Sequence, residues 1–372
     1  MNKCFGTCTA NKTNPFRRHN TPTFNSVARR SHFVYTFPVV SFLRKYDDEF
    51  VSYFPTLVES LIQSNTITGL PDMVQRFTTL LQYNVLNGQK VKGVTAVVSY
   101  RMLEKPGNLT EDNLKLANIL GWCVELLETF VGLIEEIVKN SETCPNGYKL
   151  PGVSQATYME VFNLEQSIYY LLKKYFSTHT YYSDMVQLVQ DMIRKTTTGQ
   201  ILDSQKYRFD DLTMDLYNRI TEYKTGYRSF YFPVTLAMYY SKIYDNEVHK
   251  QATLILLEMG KYVQIQNEMR TNLNDPTTLF KDGKCNWLTT VVLQKATPSQ
   301  RQVLESNYIS KDVAIKQIQS LCKILDIPGE FLAYEEQSFK SLYADISKIH
   351  NNSVRNLLFT LIGELYDRKL IV

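Results

Sequence analysis

Cysteines and long apolar runs are scarce in this chain of 372 residues, and each shortage excludes a class of protein. The six cysteines are scattered, and neither a CxxC pair nor a nearby histidine completes a zinc site. Reduced, structural thiols are therefore expected. Even the apolar segment Cys123–Val138 is interrupted by glutamates, so we predict no transmembrane helix.

Acidic residues are absent from the first 46 residues, which carry eight Lys or Arg. A basic leader rich in Arg, Ser, Thr and Asn is typical of a mitochondrial transit peptide, and a disordered cytosolic tail is the alternative. Mitochondrial and cytoplasmic locations therefore both stay open. Residues 47–372 hold 33 basic and 37 acidic side chains, so the folded body has no basic excess and nucleic-acid binding is not predicted.

The body has the composition of a soluble globular protein, because 44% of the chain is hydrophobic and 21% is charged. Strand-like alternation is scarce, whereas apolar residues recur with helical period over most of the length. The clearest such segments are Phe50–Ile62, Leu114–Val138, Met159–Phe176, Tyr181–Ile193, Leu212–Tyr223 and Val248–Gln266. No repeat or low-complexity linker divides residues 47–372, so we predict one all-α domain, a helical bundle.

The segment Leu120–Asn140 places carboxylates on a helix face that is otherwise apolar. Glu125 lies ten residues and Glu128 seven residues before Glu135, which puts them on roughly the same face. A buried carboxylate is costly unless it is paired or binds a cation, so Glu135 and Glu136 are candidate metal ligands. The alternative is that these two residues lie at the exposed end of the helix.

The segment Ile255–Pro276 offers a second candidate set of ligands. Asn267, Thr271 and Asp275 lie at positions i, i+4 and i+8, so their oxygens line one stripe of a helix and can converge on one ion. A polar surface stripe near the end of the helix is the alternative.

Both segments, with several others, resemble farnesyl diphosphate synthases over about residues 49–369. The shared stretches are GWCVELL, EYKTGYRSFYFP, ILLEMG, QIQ, KCNW, LQKATPSQ and LAYEEQSF. The resemblance implies the isoprenoid synthase fold, in which helices surround a central cavity and two metal-binding helices face each other across its mouth. It also implies a prenyl diphosphate substrate, three Mg²⁺ ions per active site and a homodimer.

The family's two Asp-Asp-x-x-Asp motifs are altered here. The first falls on Glu135, Glu136 and Lys139, and the metal-facing positions of the second fall on Asn267, Thr271 and Asp275. The second set is similar to the Asn, Ser or Thr, and Glu pattern of class I terpene synthases, which share the fold. The resemblance therefore implies metal ligands at Glu135, Glu136, Asn267, Thr271 and Asp275.

The resemblance also separates the two substrates of the family. The Gly-Gly-Lys-x-x-Arg loop that holds isopentenyl diphosphate aligns with residues 87–92, so Lys92 stands for the Arg, and the later Arg pair becomes Cys144 and Pro145. Bidentate Arg contacts to phosphate are not replaced by Cys or Pro, and only imperfectly by Lys, so the site for isopentenyl diphosphate is expected to be dismantled. Residues of the allylic diphosphate site are retained, and Lys281 or Lys284 stands for a further phosphate-binding Lys. The retained residues are Gln200, Asp203, Lys224, Thr225 and Gln264.

We therefore predict a terpene synthase, a carbon–oxygen lyase that ionises an allylic diphosphate with Mg²⁺ and forms a sesquiterpene. Phe130, at the position that limits chain length in the family, favours a fifteen-carbon substrate such as farnesyl diphosphate. Phe130, Tyr227 and Phe230 are candidates for an aromatic lining that stabilises the cation, with ordinary core packing as the alternative. The alternative functions are a non-catalytic or regulatory homologue and a prenyltransferase with atypical metal ligands.

Overall fold

The computed structural model describes residues 43–64, 69–138, 155–272, 283–309 and 315–366. All of them belong to one compact unit, Pro38–Val372. The predicted leader, residues 1–46, lies almost wholly outside the described part, so its boundary and its targeting stay predictions.

Helices account for nearly all of the described residues, which contain no β-strand. We number the α-helices in chain order: α1 Asp47–Ser52, α2 Phe54–Ile62, α3 Pro71–Leu80, α4 Val91–Leu103, α5 Glu111–Val138, α6 Gln155–Phe176, α7 Tyr182–Ser204, α8 Met214–Thr221, α9 Phe232–Tyr240, α10 Asn246–Asn272, α11 Trp287–Lys295, α12 Pro298–Ser306, α13 Ile315–Ile324, α14 Ile327–Ser347 and α15 Asn352–Tyr366. The predicted all-α bundle is confirmed.

The predicted segment Phe50–Ile62 is two helices rather than one. Tyr53 separates α1 from α2, and Pro55 occupies the first turn of α2. Proline has no backbone N–H and fixes its own φ, so it fits a first turn but not a helix interior. The other predicted helices are present with shifted ends. The segment Tyr181–Ile193, for example, is part of an α7 that continues to Ser204.

The long helix α5 runs through the core and carries the predicted glutamates toward its end. The Trp122 ring stacks on Phe50 with centroids 4.2 Å apart, and its Nε1 donates to the Phe50 carbonyl oxygen at 3.2 Å. A β-carbon at Gly93 of α4 would lie only 2.7 Å from the Gly121 carbonyl oxygen, so the two backbones touch there. This contact fixes α5 against α4.

Two segments of π-helix interrupt the α-helical geometry, at Leu81–Leu86 and Glu222–Tyr231. The second ends just before Pro233, which occupies the first turn of α9. Because Pro233 has no N–H to donate to the preceding turn, the regular bond pattern cannot continue through it. π-Helical turns are frequent at functional sites, and this one carries the predicted Lys224 and Thr225.

Among the described helices, only the Glu111–Ile137 stretch of α5 is long and apolar enough to cross a membrane. Within its apolar window, 78% of the residues are buried inside the protein. This degree of burial is typical of a core helix, which passes the same test of length and composition.

Candidate active site

A cavity of about 320 Å³ lies between α5 and α7. Its lining comes from those two helices, from the π segment and from the turn before α11. The lining residues are Phe130, Val131, Ile134, Glu135, Thr196, Thr197, Gln200, Ile201, Asp203, Ser204, Lys224 and Lys284. Six of them were singled out from the sequence: Phe130, Glu135, Gln200, Asp203, Lys224 and Lys284.

The α5 wall of the cavity is apolar. Phe130 and Val131 are buried, and Ile134 lies one turn further along the same helix face. Glu135 follows directly, so this helix carries the wall from an apolar floor to a charged rim. The apolar part of this wall suits a hydrocarbon chain.

Asp203 at the rim pairs with two lysines from distant parts of the chain. Its Oδ2 accepts from Lys224 Nζ at 2.7 Å and from Lys284 Nζ at 3.4 Å. Burial by itself raises the pKa of Asp203, but the two ammonium groups outweigh burial and hold that pKa below its usual value. Asp203 is therefore ionised at neutral pH and holds both lysines at the cavity.

Glu135, another lining residue, is held by two side chains. Its Oε1 accepts from Gln200 Nε2, and the same oxygen lies 3.4 Å from Arg228 Nη2. The Glu135 side chain is 22% exposed. The carboxylate is therefore fixed by α7 and by the π segment.

Thr225 and Gln264 lie together in a buried network. Thr225 Oγ1 donates to Gln264 Oε1 at 2.9 Å, and Gln264 Nε2 donates to Glu268 Oε1 at 2.8 Å. Glu268 also accepts from Tyr217 OH at 3.2 Å and from the Trp287 backbone N–H at 2.9 Å. Burial raises the pKa of Glu268 despite these donors. The network joins the π segment to α10 and α11 behind the cavity.

Lys92 contacts another carboxylate, Glu128 of α5. Its Nζ lies 2.5 Å from Glu128 Oε2, and Arg228 Nη1 lies 3.6 Å from the same oxygen. Burial lowers the pKa of Lys92, although the adjacent Glu128 acts in the opposite direction. The lysine predicted to contact substrate is therefore already paired within the protein.

The second predicted ligand set is only partly described. Asn267 lies on α10, and Glu136 lies on α5 next to Glu135, but neither is among the described lining residues. Thr271 is in the last turn of α10, and its side chain lies outside the described residues, as do Asp275, Lys139 and Lys281. Their predicted roles stay predictions.

The three predicted aromatic residues have different surroundings. Phe130 lines the cavity, whereas Phe230 is fully buried in the core. The Tyr227 hydroxyl donates to Glu222 Oε1 at 3.1 Å, and Lys195 Nζ lies 3.9 Å from the centre of its ring. Of the three, only Phe130 is in a place to contact a molecule in this cavity.

Arg228 contacts the cavity-lining Glu135 but was not predicted from the sequence, and Glu128 was predicted only as a helix-face carboxylate. Glu268 falls within the second altered motif, but no role was predicted for it. Arg228 follows Lys224 by four residues in an aromatic run, a spacing that puts two cations near one face. That spacing was the available signal. The carboxylates that Arg228 meets lie 93 residues or more away along the chain, so no local pattern identifies them.

Oxygen donors at the rim suit a hard cation such as Mg²⁺, which binds carboxylate and amide oxygens. Glu135 lines the cavity, whereas Glu136 and Asn267 carry oxygens of this type on α5 and α10 outside the described lining. Within the described ranges, no three His, Cys, Asp or Glu side chains are grouped closely enough to hold a metal ion. The donor chemistry fits Mg²⁺, and Glu135 is the predicted ligand that the structure places at the cavity.

Comparisons with known proteins agree on one family. The family model of polyprenyl synthetases matches residues 74–325, more than half of the chain. Farnesyl pyrophosphate synthase of Murgantia histrionica is 38% identical over 333 residues, which cover 86% of this chain and 82% of the relative. The enzyme of the same name from Gallus gallus is 35% identical over 340 residues, which cover 87% of this chain and 92% of the relative. The one from Homo sapiens is 34% identical over 339 residues, which cover 86% of this chain and 80% of the relative. The chain therefore belongs to the polyprenyl synthetase family, whose enzymes act in prenyl diphosphate metabolism.

Proposed function

We propose that this chain binds an allylic prenyl diphosphate in the cavity between α5 and α7 and ionises it. One observation carries the proposal: two lysines converge at the rim of a cavity whose floor is apolar. The lysines can bind an anionic head, and the apolar floor can contact a hydrocarbon tail. Farnesyl diphosphate is the proposed substrate, because Phe130 closes part of the floor.

The lysines bind the diphosphate head. Lys224 and Lys284 share the single carboxylate oxygen of Asp203, so a diphosphate offers them additional charged acceptors. As the carbon–oxygen bond breaks, negative charge accumulates on the leaving diphosphate. Ammonium groups already in place stabilise that charge more than they stabilise the bound substrate, and this difference lowers the barrier.

The apolar floor receives the prenyl chain and excludes water from the cation. Phe130, Val131 and Ile134 present hydrocarbon surface and one aromatic ring to the cavity. An aromatic ring stabilises a nearby cation, and a dry cavity delays its capture by water. The protein thus supplies the conditions under which an allylic cation can react further.

Magnesium completes the charge balance in this family. When bound, Mg²⁺ neutralises diphosphate oxygens and assists departure of the leaving group. In this chain Glu135, Glu136 and Asn267, together with Thr271 and Asp275, would hold it. The number of ions is part of the proposal, with three expected from the resemblance.

The comparisons support prenyl transfer as the fate of the cation better than they support the sesquiterpene predicted from the sequence. All three relatives are named farnesyl pyrophosphate synthase, and none is named as a lyase. Transfer requires a second, homoallylic diphosphate beside the first. The second candidate function is therefore a prenyltransferase with atypical ligands, and a homodimer is the assembly that we propose for either function.

One arrangement supports the lyase. Lys92, the cation retained from the loop that would hold a second diphosphate, is already neutralised by Glu128. Arg228 also approaches the Glu128 carboxylate, so Lys92 and Arg228 are both paired with a group of the protein itself. A cation without a second substrate can cyclise and lose a proton, which gives a hydrocarbon.

The experiment that tests the function uses the full chain with Mg²⁺. Geranyl or farnesyl diphosphate is supplied with and without isopentenyl diphosphate, and volatile and diphosphate products are identified by mass spectrometry. A volatile product without isopentenyl diphosphate supports the lyase, and a longer diphosphate formed only with it supports transfer. No conversion of any allylic diphosphate would contradict the proposal and favour the non-catalytic alternative.

Matched variants locate the reaction. Lys224→Met should abolish conversion, because it removes the ammonium but keeps the length of the side chain. Glu336→Gln is the control, because Glu336 pairs with Lys340 on the exposed face of α14, away from the cavity. If Lys224→Met converts substrate at the rate of the control, the proposed site is wrong.

A further inference from the structure

Glu128 lies between two cations, one of which also contacts the cavity-lining Glu135. Its Oε2 is 2.5 Å from Lys92 Nζ and 3.6 Å from Arg228 Nη1, and Arg228 reaches onward to Glu135 at 3.4 Å. The side chains of Lys92, Glu128 and Arg228 are only 13%, 18% and 14% exposed. The four residues form a chain of alternating charge that begins at α4 and ends at the cavity rim.

Two atoms of this charged group lack hydrogen bonds. Glu128 Oε1 and Arg228 Nε are buried and have no hydrogen-bond partner within the protein. A buried ionic group without its full set of partners is costly. Packing alone gives no reason to keep this group here, because replacing all of its members together by apolar side chains of similar size would avoid the cost.

Glu128 has a clear electrostatic effect. It is the carboxylate that approaches both Lys92 and Arg228, while Glu135 approaches Arg228 alone. Without Glu128, Lys92 would keep only the longer-range attraction of Glu125, and Arg228 would keep only its contact with Glu135. Lysine and arginine in this arrangement form a binding place for a phosphate or diphosphate group, which arginine contacts through two nitrogens.

We propose that Glu128 takes the place of an external anion between Lys92 and Arg228 and thereby restricts this chain to one diphosphate. Glu128 is then the residue that determines whether a second prenyl diphosphate binds beside the first. This inference rests on the proposed function, in that the cavity itself holds the first diphosphate. It assigns the selectivity of the site to one carboxylate.

The test counts bound diphosphate. The full chain and its Glu128→Gln variant are titrated with inorganic pyrophosphate in excess Mg²⁺ by calorimetry. We expect one binding event per chain for the unchanged protein and two for the variant. The second event should weaken as salt is added, and it should disappear in the double variant Lys92→Met/Glu128→Gln. Isopentenyl diphosphate should bind the single variant at least about tenfold more tightly than it binds the unchanged protein.

Glu160→Gln is the matched control. Glu160 is also nearly buried, pairs with an arginine, Arg76, and has a buried second oxygen without a partner, but it lies on α6 away from the cavity lining. It should bind pyrophosphate like the unchanged protein. Should Glu128→Gln fail to fold, Glu128→Ala leaves room for a phosphate oxygen and is titrated in its place.

Two results would overturn the inference. Either the unchanged protein binds two pyrophosphates, or the Glu128 variants bind only one. A third result would also contradict the stated selectivity. In it, the variant binds a second pyrophosphate but binds isopentenyl diphosphate no more tightly than the unchanged protein, so the new site accepts the free ion and not its ester. These measurements need no turnover, so they stand apart from the product assay that tests the function.

Discussion

Gly199 of α7 packs directly against the backbone of Lys224. A β-carbon at Gly199 would lie 2.3 Å from the Lys224 backbone nitrogen and 2.5 Å from the carbonyl carbon of Tyr223. Only glycine permits this approach, because backbone atoms cannot move aside as a flexible side chain can. The contact brings Lys224 next to Gln200 and Asp203, which follow Gly199 on the same helix.

Gly199→Ala should therefore weaken both the fold and the site. We expect a loss of about 1–3 kcal/mol in the free energy of unfolding, because the methyl group overpacks the contact. Diphosphate binding should weaken as well, because Lys224 moves away from Asp203. Chemical denaturation and pyrophosphate titration measure the two effects. The control is Gly363→Ala. A β-carbon at Gly363 would have no neighbouring atom within 4 Å, and the residue lies inside α15, so this substitution should leave the stability unchanged or raise it.

Lys224 and Lys284 should contribute unequally to diphosphate binding. The Lys224 side chain is 21% exposed and lies 2.7 Å from Asp203, whereas Lys284 is 42% exposed and lies 3.4 Å away. Lys224→Met should weaken pyrophosphate binding by about tenfold to a hundredfold, the range for a charged hydrogen bond, and Lys284→Met should weaken it less. Calorimetry in excess Mg²⁺ measures both dissociation constants. An equal or reversed order would contradict the role of Lys224 as the principal phosphate ligand.

Glu125 should make the stability of the protein depend on pH near neutrality. Burial raises its pKa to about 7 from 4.5, and the Glu128 carboxylate adds to the rise. The Gly93 N–H, which donates to Glu125 Oε1 at 2.6 Å, and the ammonium groups of Lys92 and Lys90 only partly oppose it. The folded carboxyl therefore holds its proton in a pH range where the unfolded one has lost it.

The sign follows from proton binding. Between pH 4.5 and about 7 the folded state binds more protons at Glu125 than the unfolded state does, so stability falls as pH rises through this window. Glu125→Gln removes this loss and keeps an oxygen for Gly93. The variant should gain on the order of 3 kcal/mol relative to the unchanged protein between about pH 5 and 8. Urea unfolding across this range measures the gain, and parallel pH profiles for the two proteins would contradict it.

Phe130 should limit the length of the prenyl chain. It is 4% exposed and forms part of the apolar cavity wall. Phe130→Leu should move the preference from farnesyl toward geranylgeranyl diphosphate by about tenfold in the ratio of kcat/KM, because the smaller side chain deepens the floor. Phe176→Leu is the control, because Phe176 is fully buried and does not line this cavity. An unchanged ratio in the Phe130 variant would show that another residue sets the length.

Local patterns in the sequence predicted much of the fold. The helical period located α5, α6, α7 and α10, because an amphipathic or buried helix must repeat its apolar residues every three to four positions. The 21-residue helix α14, Ile327–Ser347, was not among the predicted segments. The split at Tyr53 and the π-helical geometry of Glu222–Tyr231 were not predicted. Both depend on prolines whose effect is set by the surrounding packing. Pro55 begins a new helix, whereas Pro233 follows a segment that changes its hydrogen bonding.

The candidate site divides in the same way. The resemblance to farnesyl diphosphate synthases identified Gln200, Asp203, Lys224 and Phe130, because the stretches that contain them are similar to that family. The same resemblance, together with the carboxylates on an apolar helix face, identified Glu135. Only the tertiary structure paired Lys92 with Glu128 and joined both to Arg228, groups separated by 36 to 136 positions in the chain. Charge pairing across such separations depends on how α4, α5 and the π segment pack, and no local period contains that information. The residues of the proposed allylic site could thus be named from the sequence, whereas the pairing of Lys92 with Glu128 was decided by helix packing.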